Sequence, residues 1–246
     1  MKKNVESISG YHSVRILLEV RPYDVLEIIF IKSEEKKYLD IINLAKKHKI
    51  EVKFLVKNKF EKLTKVVTHQ GVIAFAKRKP LIKEKELLNY VNKIAGNKIL
   101  LALDDIKDPR NLGACLRICD AFKISGIIIK SNNSSVVNET AKKVAAGGAE
   151  ITPIIEVTNI KRTMSLLKKN NFWVYGASDS ADTDIGDISF NFPCVLIIGG
   201  EEKGIKPSLI EACDSLVKIP MYGHVESLNL SVAAGIILHK MLLQKN

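Results

Sequence analysis

The amino-acid sequence predicts an α/β protein in two units, a small α/β unit followed by a larger one built on a mostly parallel sheet. Three observations predict it. Short apolar runs alternate with helix-length amphipathic segments along the chain. The runs ILLAL (99–103) and CVLIIG (194–199) have no polar position, as expected of parallel strands covered on both faces. Between the two sets of elements lies KRKPLIKEKE (77–86), charged, proline-containing and short of apolar anchors. We read 77–96 as a linker, which divides the chain into 1–76 and 97–246.

In the first unit, 10–20 reads as a helix and 25–32 as a strand. An amphipathic helix follows over 34–48, with Leu39, Ile42 and Leu44 opposite lysines. Then come a strand at 51–56, a short helix near Phe60 and a strand at 71–78. In the second unit, strand KILLALDD leads into helix NLGACLRICDAF, strand IIIK and a helix over 138–146. Strand TPIIEV, a helix over 159–169 and strands FWVYGA and CVLIIGG come next. A short helix after Pro207, strand SLVKIP and a last helix complete the chain. Ser227 is placed as the N-cap of that last helix. The apolar residues Leu228, Leu230, Val232, Ile236, Ile237, Met241 and Leu242 wrap it nearly all round, so it should be buried on most sides, with Ser227 and Asn229 on the floor of a cleft.

Composition narrows the classes. The mix of 46% hydrophobic and 26% charged residues is that of a soluble globular protein. The 4 cysteines form no CxxC pair and no zinc-type spacing, so neither a disulfide framework nor a metal site is indicated, and a reducing cytoplasm fits. No apolar run approaches the ~18 residues of a membrane span, and the N-terminus lacks the apolar core of a signal peptide. The net charge of +11 is uneven. Residues 1–97 hold 21 Lys and Arg against 11 Asp and Glu, whereas 98–246 are nearly balanced. A solvated lysine-rich surface would explain that, and so would an electrostatic footprint for nucleic acid.

A dinucleotide fold would place G-x-G-x-x-G after the first strand of the second unit, but IKDPRNLG stands there, and no P-loop occurs. The glycines instead follow a late strand, in IIGGEEKGI (197–205). They either admit a ligand to the backbone or simply turn the chain. In DPRNLGACLR, Asp108 is placed as N-cap and Pro109 as the first helical residue. Asn111 lies in the first turn and Arg117 less than two turns on, either an anion-binding helix start or ordinary capping beside a surface arginine. Cys115 and Cys119 read as packing residues. The 5 histidines form no catalytic arrangement, and His224 alone falls in a candidate site.

LDDIKDPRNLGACLRICDAF, VLIIGGEEKGI and KIPMYGHVESLNLSVAAGIIL resemble, in order and spacing, the three signature motifs of the SpoU/TrmH (SPOUT) family of RNA ribose 2′-O-methyltransferases. GYHSVRILLEV, HQGVIAFAK and NETAKKVAAGGAE extend the resemblance over essentially the whole chain, to the bacterial ribosomal RNA branch. It implies a trefoil-knotted C-terminal domain that binds S-adenosylmethionine without a metal and dimerises through the knot, behind a ribosomal-protein-like RNA-binding domain. The implied substrate is a guanosine 2′-hydroxyl in 23S ribosomal RNA, in the peptidyl-transferase P-loop, and the implied location is the cytoplasm. Carried over by motif, the catalytic positions are Asn111, Arg117, Glu201, Ser227 and Asn229. The cofactor positions are Gly199, Ile219 and Leu228, with Gly200, Gly204 and Met221 on the same loops. Glu202 departs from the glycine the family often has there. A literal arginine base is chemically difficult because a guanidinium stays protonated, so Arg117 is expected to stabilise a developing alkoxide. A transfer RNA methyltransferase of the same family and a non-catalytic RNA-binding assembly factor are the alternatives.

Overall fold

A computed structural model of the chain describes residues 4–64, 69–200 and 204–244, apart from the side chains of residues 134–136. The first unit contains β1 (Val5–Ser9), α1 (Tyr11–Val20), β2 (Val25–Ile31), α2 (Leu39–Lys47), β3 (Glu51–Leu55), α3 (Lys57–Phe60) and β4 (Val72–Lys77). Its sheet runs β1-β4-β2-β3, antiparallel except for the β2/β3 pair. Val14, Leu17 and Leu18 of α1 and Ile41, Ile42 and Ala45 of α2 pack on one face of that sheet, against Ile8, Ile28, Phe30, Val72 and Ala74. Phe60 covers Ile29, Ile31 and Ile73 on the other.

Two features of this unit depart from expectation. β1 was not anticipated, because VESIS offers Ile8 as its one fully buried apolar residue. The helix expected over 34–48 begins only at Leu39, since 32–38 winds as 3₁₀ turns that end in the buried Tyr38.

The second unit contains β5 (Ile82–Lys83), α4 (Leu87–Asn92), β6 (Ile99–Leu103), α5 (Pro109–Ala121), β7 (Gly126–Lys130), α6 (Glu139–Val144) and α7 (Gly148–Ile151). Then follow β8 (Ile154–Val157), α8 (Ile160–Lys168), β9 (Trp173–Ala177), β10 (Cys194–Ile198), α9 (Pro207–Ile210), β11 (Ser215–Val217) and α10 (Leu230–Gln244). Seven strands form one parallel sheet in the order β11-β9-β10-β6-β7-β8-β5. All five residues of β6 and of β10 are buried, which is why both read as unbroken apolar runs. α5, α6, α7 and α10 supply the core on one face, and α4, α8 and α9 on the other. Strand order reverses at the β6/β10 pair, and open parallel sheets hold ligands beyond the carboxyl ends of strands at such a point. Among the described residues no helix is long and apolar enough to cross a membrane.

The stretch 77–96, expected as a linker, carries structure of its own. β5 pairs in parallel with β8, and Leu87 and Val91 of α4 are fully buried in the second core. The last helix also differs from expectation. It starts at Leu230, and its cap is Asn229 rather than Ser227, since Asn229 Oδ1 accepts from the Ser231 N–H at 2.9 Å. Within this chain it is not buried on most sides, because Val232, Ile236 and Leu243 remain exposed along one stripe.

Candidate active site

Three loops at the carboxyl ends of β9, β10 and β11 enclose a cavity of about 310 Å³. Gly199 and Gly200 follow β10, and Gly200 bridges Gly204. A Cβ on Gly199 would lie 1.9 Å from the Gly204 carbonyl carbon, so only glycine allows this closure. β11 delivers Ile219, and the irregular chain beyond it delivers Met221, Ser227 and Leu228. Gly199, Gly200, Gly204, Ile219, Met221, Ser227 and Leu228, all singled out from the sequence, thus line one cavity.

Residues not anticipated line it as well. Ser178 and Asp179 follow β9, and Glu226 precedes Ser227. The strand-end position of Asp179, after the apolar run WVYGA, is the signal that could have marked it.

Beside the cavity, α5 and α10 meet through two amides 118 positions apart in sequence. Asn229 Nδ2 donates to Asn111 Oδ1 at 3.1 Å, while Asn229 Oδ1 accepts from both the backbone and the hydroxyl of Ser231, at 2.9 and 2.7 Å. Asn111 is buried, held in the first turn of α5 by the expected start: Asp108 accepts from the Arg110 N–H at 2.8 Å and Pro109 follows. Arg117, further along α5, is exposed, outside the cavity lining, and makes no hydrogen bond or ion pair among the described residues. Glu201 lies outside the described residues.

The floor below these loops holds a buried charge. Asp104, fully buried at the end of β6, accepts from Lys130 at 2.9 Å and stands 3.5 Å from Lys206. Burial opposes the charge on Lys130, but its hydrogen bonds to Asp104 and Lys206 and the charges of Asp104 and Asp105 together outweigh that and hold the ammonium above its usual range. Cys115 and Cys119 are fully buried in the core, and burial pushes the Cys115 thiol up to about 12, which makes both poor nucleophiles. Among the described residues no group of three or more His, Cys, Asp and Glu side chains could hold a metal ion.

Known proteins share both the sequence and the fold. The SpoU rRNA Methylase family matches residues 98–239, and residues 7–81 match RNA 2′-O ribose methyltransferase substrate binding. The chain belongs to the SpoU rRNA methylase family. It is accordingly an RNA methyltransferase. Within the family it is 36% identical over 242 residues to the 23S rRNA (guanosine-2′-O-)-methyltransferase RlmB of Escherichia coli strain K12, covering 98% of this chain and 99% of that protein. The RlmB of Photorhabdus laumondii is equally similar. The fold is that of the SpoU methyltransferase AviRb of Streptomyces viridochromogenes, solved with AdoMet (TM-score 0.80, 20% identity, 98% of this chain and 90% of that one). The TrmH/SpoU tRNA modifying enzyme of A. aeolicus matches 65% of this chain and 81% of its own length, at a TM-score of 0.55 and 27% identity. The SpoU match starts at the threshold of β6 and ends inside α10, so it contains both residues of the Asn111–Asn229 contact.

Proposed function

We propose that this chain transfers the methyl group of S-adenosylmethionine to the ribose 2′-hydroxyl of one guanosine in the P-loop of 23S ribosomal RNA, working as a cytoplasmic homodimer. The observation that carries this reading is the cavity beside the Asn111–Asn229 pair, in a chain 36% identical end to end to RlmB. The 23S rRNA methyltransferases match nearly all of the chain, whereas the tRNA modifying enzyme leaves a third of it uncovered.

The cavity residues fit the cofactor by their chemistry. Ile198, Ile219 and Leu228 offer apolar surface to a purine, and backbone at Gly199 and Gly200 offers polar groups at close approach. Asp179 and Glu226 offer carboxylates to ribose hydroxyls and to a cationic sulfonium and amine. The cofactor supplies, when bound, an electrophilic methyl. The remaining work falls to this chain. Arg117, fixed on α5 with its guanidinium unengaged among the described residues, holds a substrate phosphate and stabilises the alkoxide that develops at the 2′-oxygen as the hydroxyl proton passes to water. Asn111 and Asn229 lock α5 against α10, so that Arg117 and the cavity keep one spacing, and Ser227, on the cavity wall, orients the ribose. Positioning of this kind supplies ~7–11 kcal/mol of a barrier.

We infer also that the segment after β10 forms the trefoil knot. In its support, the chain leaves β10 beside β6, runs outward past β9 to β11 at the sheet edge, and returns as α10 onto α5. Residues 1–76 serve as the RNA-binding module, and the exposed stripe of α10 as part of the dimer contact. The test is methylation of 23S ribosomal RNA and of bulk transfer RNA with tritium-labelled cofactor, followed by mapping. A single labelled guanosine in 23S RNA is expected. Label in transfer RNA alone, or in neither, would overturn the proposal.

A further inference from the structure

The motif NETAKKVAAGGAE has no part in the cavity, yet its side chains are among the most engaged in the molecule. Lys142 of α6 and Glu150 of α7 are both buried. Lys142 Nζ donates to Glu150 at 3.0 Å and, across to the first unit, to Glu6 of β1 at 2.7 Å. The second oxygen of Glu150 accepts from Arg21, which follows α1. Arg21 also stands 3.8 Å from Glu6 and donates to the Lys77 carbonyl at 2.6 Å. Lys79 donates to the carbonyls of Ala149 and Thr152, at 3.0 and 2.9 Å. Around this cluster, Glu139 accepts from Thr64 at 2.5 Å and Lys143 donates to Gln70 at 3.1 Å. Gly147, at φ +102°, leaves the space that Ile16 of α1 fills.

Such a joint is unlike the usual contact between domains, which is small and permits motion. Its geometry also leads to the active site. α7 lies directly on α5: Thr152 Oγ1 donates to the Leu116 carbonyl at 3.3 Å, and a Cβ on Gly148 would lie 3.1 Å from the Arg117 Cα. The element that carries Glu150 therefore touches the turn that carries Arg117.

We propose that Glu6, Arg21, Lys142 and Glu150 form a positioning device that holds the RNA-binding module in one orientation to α5, so that RNA gripped by the module arrives with its ribose at Arg117. This rests on the proposed function. Paired buried charges suit the task because their geometry is directional, and a module displaced from register leaves some of them unpaired. The four residues are positioning residues, since none touches the cavity.

The test uses the full chain with Glu6→Gln and Arg21→Met combined. Both changes lie on the module, and they leave Lys142 and Glu150 paired with each other. Small-angle scattering should show one compact arrangement for the native protein and a wider spread of module positions for the double variant. At saturating ribosomal RNA, kcat should fall about 10-fold or more, with KM for RNA and the calorimetric Kd for S-adenosylmethionine within about 3-fold of native, because only alignment is lost. Arg21→Lys, which keeps a charge beside Glu150, should retain most of the native kcat. The proposal is overturned by unchanged scattering, by unchanged kcat in a loosened protein, or by a matching loss of cofactor affinity. Should the double variant fail to fold, native scattering that demands many module positions overturns it equally. A native enzyme inactive on ribosomal RNA would defeat the proposed function, and the scattering comparison would still decide whether these charges hold the module.

Discussion

Asn229 caps α10 through its side-chain oxygen and donates from its side-chain nitrogen to Asn111, so aspartate at this position keeps the first role and loses the second. Asn229→Asp should leave thermal stability within ~1 kcal/mol of native, because aspartate caps as well as asparagine. It should nevertheless lower turnover, because the donor that ties α5 to α10 is gone and Asn111 then faces a carboxylate. Asn229→Ala should lose both, at ~1–2 kcal/mol for the cap and the unsatisfied Asn111 together. Calorimetric melting beside a methyl-transfer assay separates the two roles, and native turnover in Asn229→Asp would contradict the assignment. Arg117→Ala removes a guanidinium with no structural partner among the described residues, so folding and cofactor Kd should be unchanged. Turnover should fall at least ~100-fold, the scale of one lost transition-state stabiliser. Near-native turnover would remove Arg117 from the mechanism.

The exposed residues of α10 make a prediction at the next scale. Val232, Ile236 and Leu243 are 49, 39 and 69% exposed on a helix whose other apolar side chains are buried or partly buried. A stripe of that kind calls for a second surface. Val232→Glu with Ile236→Glu should convert a sedimenting dimer to a monomer without unfolding α10, whose core contacts through Leu230, Ala234, Ile237 and Met241 remain. A native monomer, or an undisturbed dimer in the variant, would exclude this face. The same helix shows what could be read in the sequence. Its apolar positions were plain, but the period could not tell burial within the chain from burial against a partner. Ser227 and Asn229 are both cap formers two residues apart, and only the hydrogen bond to Ser231 chooses between them. In 77–96, Leu87, Tyr90, Val91 and Ile94 stand at helical spacing, but the charged, proline-containing run 77–86 before them made the whole stretch read as a linker, although Leu87 and Val91 anchor a helix in the core. The strands were legible because burial on both faces leaves an unbroken apolar run. The cavity loops were legible only through the family resemblance of their motifs, since the glycines by themselves read equally as a turn. The contact between Asn111 and Asn229 was not, because no local pattern reports which distant helices cross.

Lys79 sits in the joint between the units and gives the whole molecule a pH dependence that can be worked out in sign. Its ammonium donates to two carbonyls of the second unit, and burial lowers its pKa from 10.5 to about 8. Glu150 and Glu6 oppose that shift, while Arg21 and Lys142 add to it. When the units separate, the side chain returns to water and to its ordinary value. Between pH ~8 and ~10.5 the docked protein therefore binds fewer protons than the separated or unfolded one, and stability rises with pH across that window. Below pH ~8 Lys79 is charged in both states and its contribution is flat. From pH 7.5 to 9.5 this group alone should add on the order of 1 kcal/mol, a shift of a few degrees in a chain of this size. Other lysines, tyrosines and thiols titrate in the same range, so the informative quantity is the difference between native protein and Lys79→Met. The variant should melt with a shallower rise, or a steeper fall, over those two pH units, while the two proteins run parallel between pH 6 and 7. Curves that stay parallel to pH 9.5 would mean that Lys79 titrates normally and that water reaches the joint.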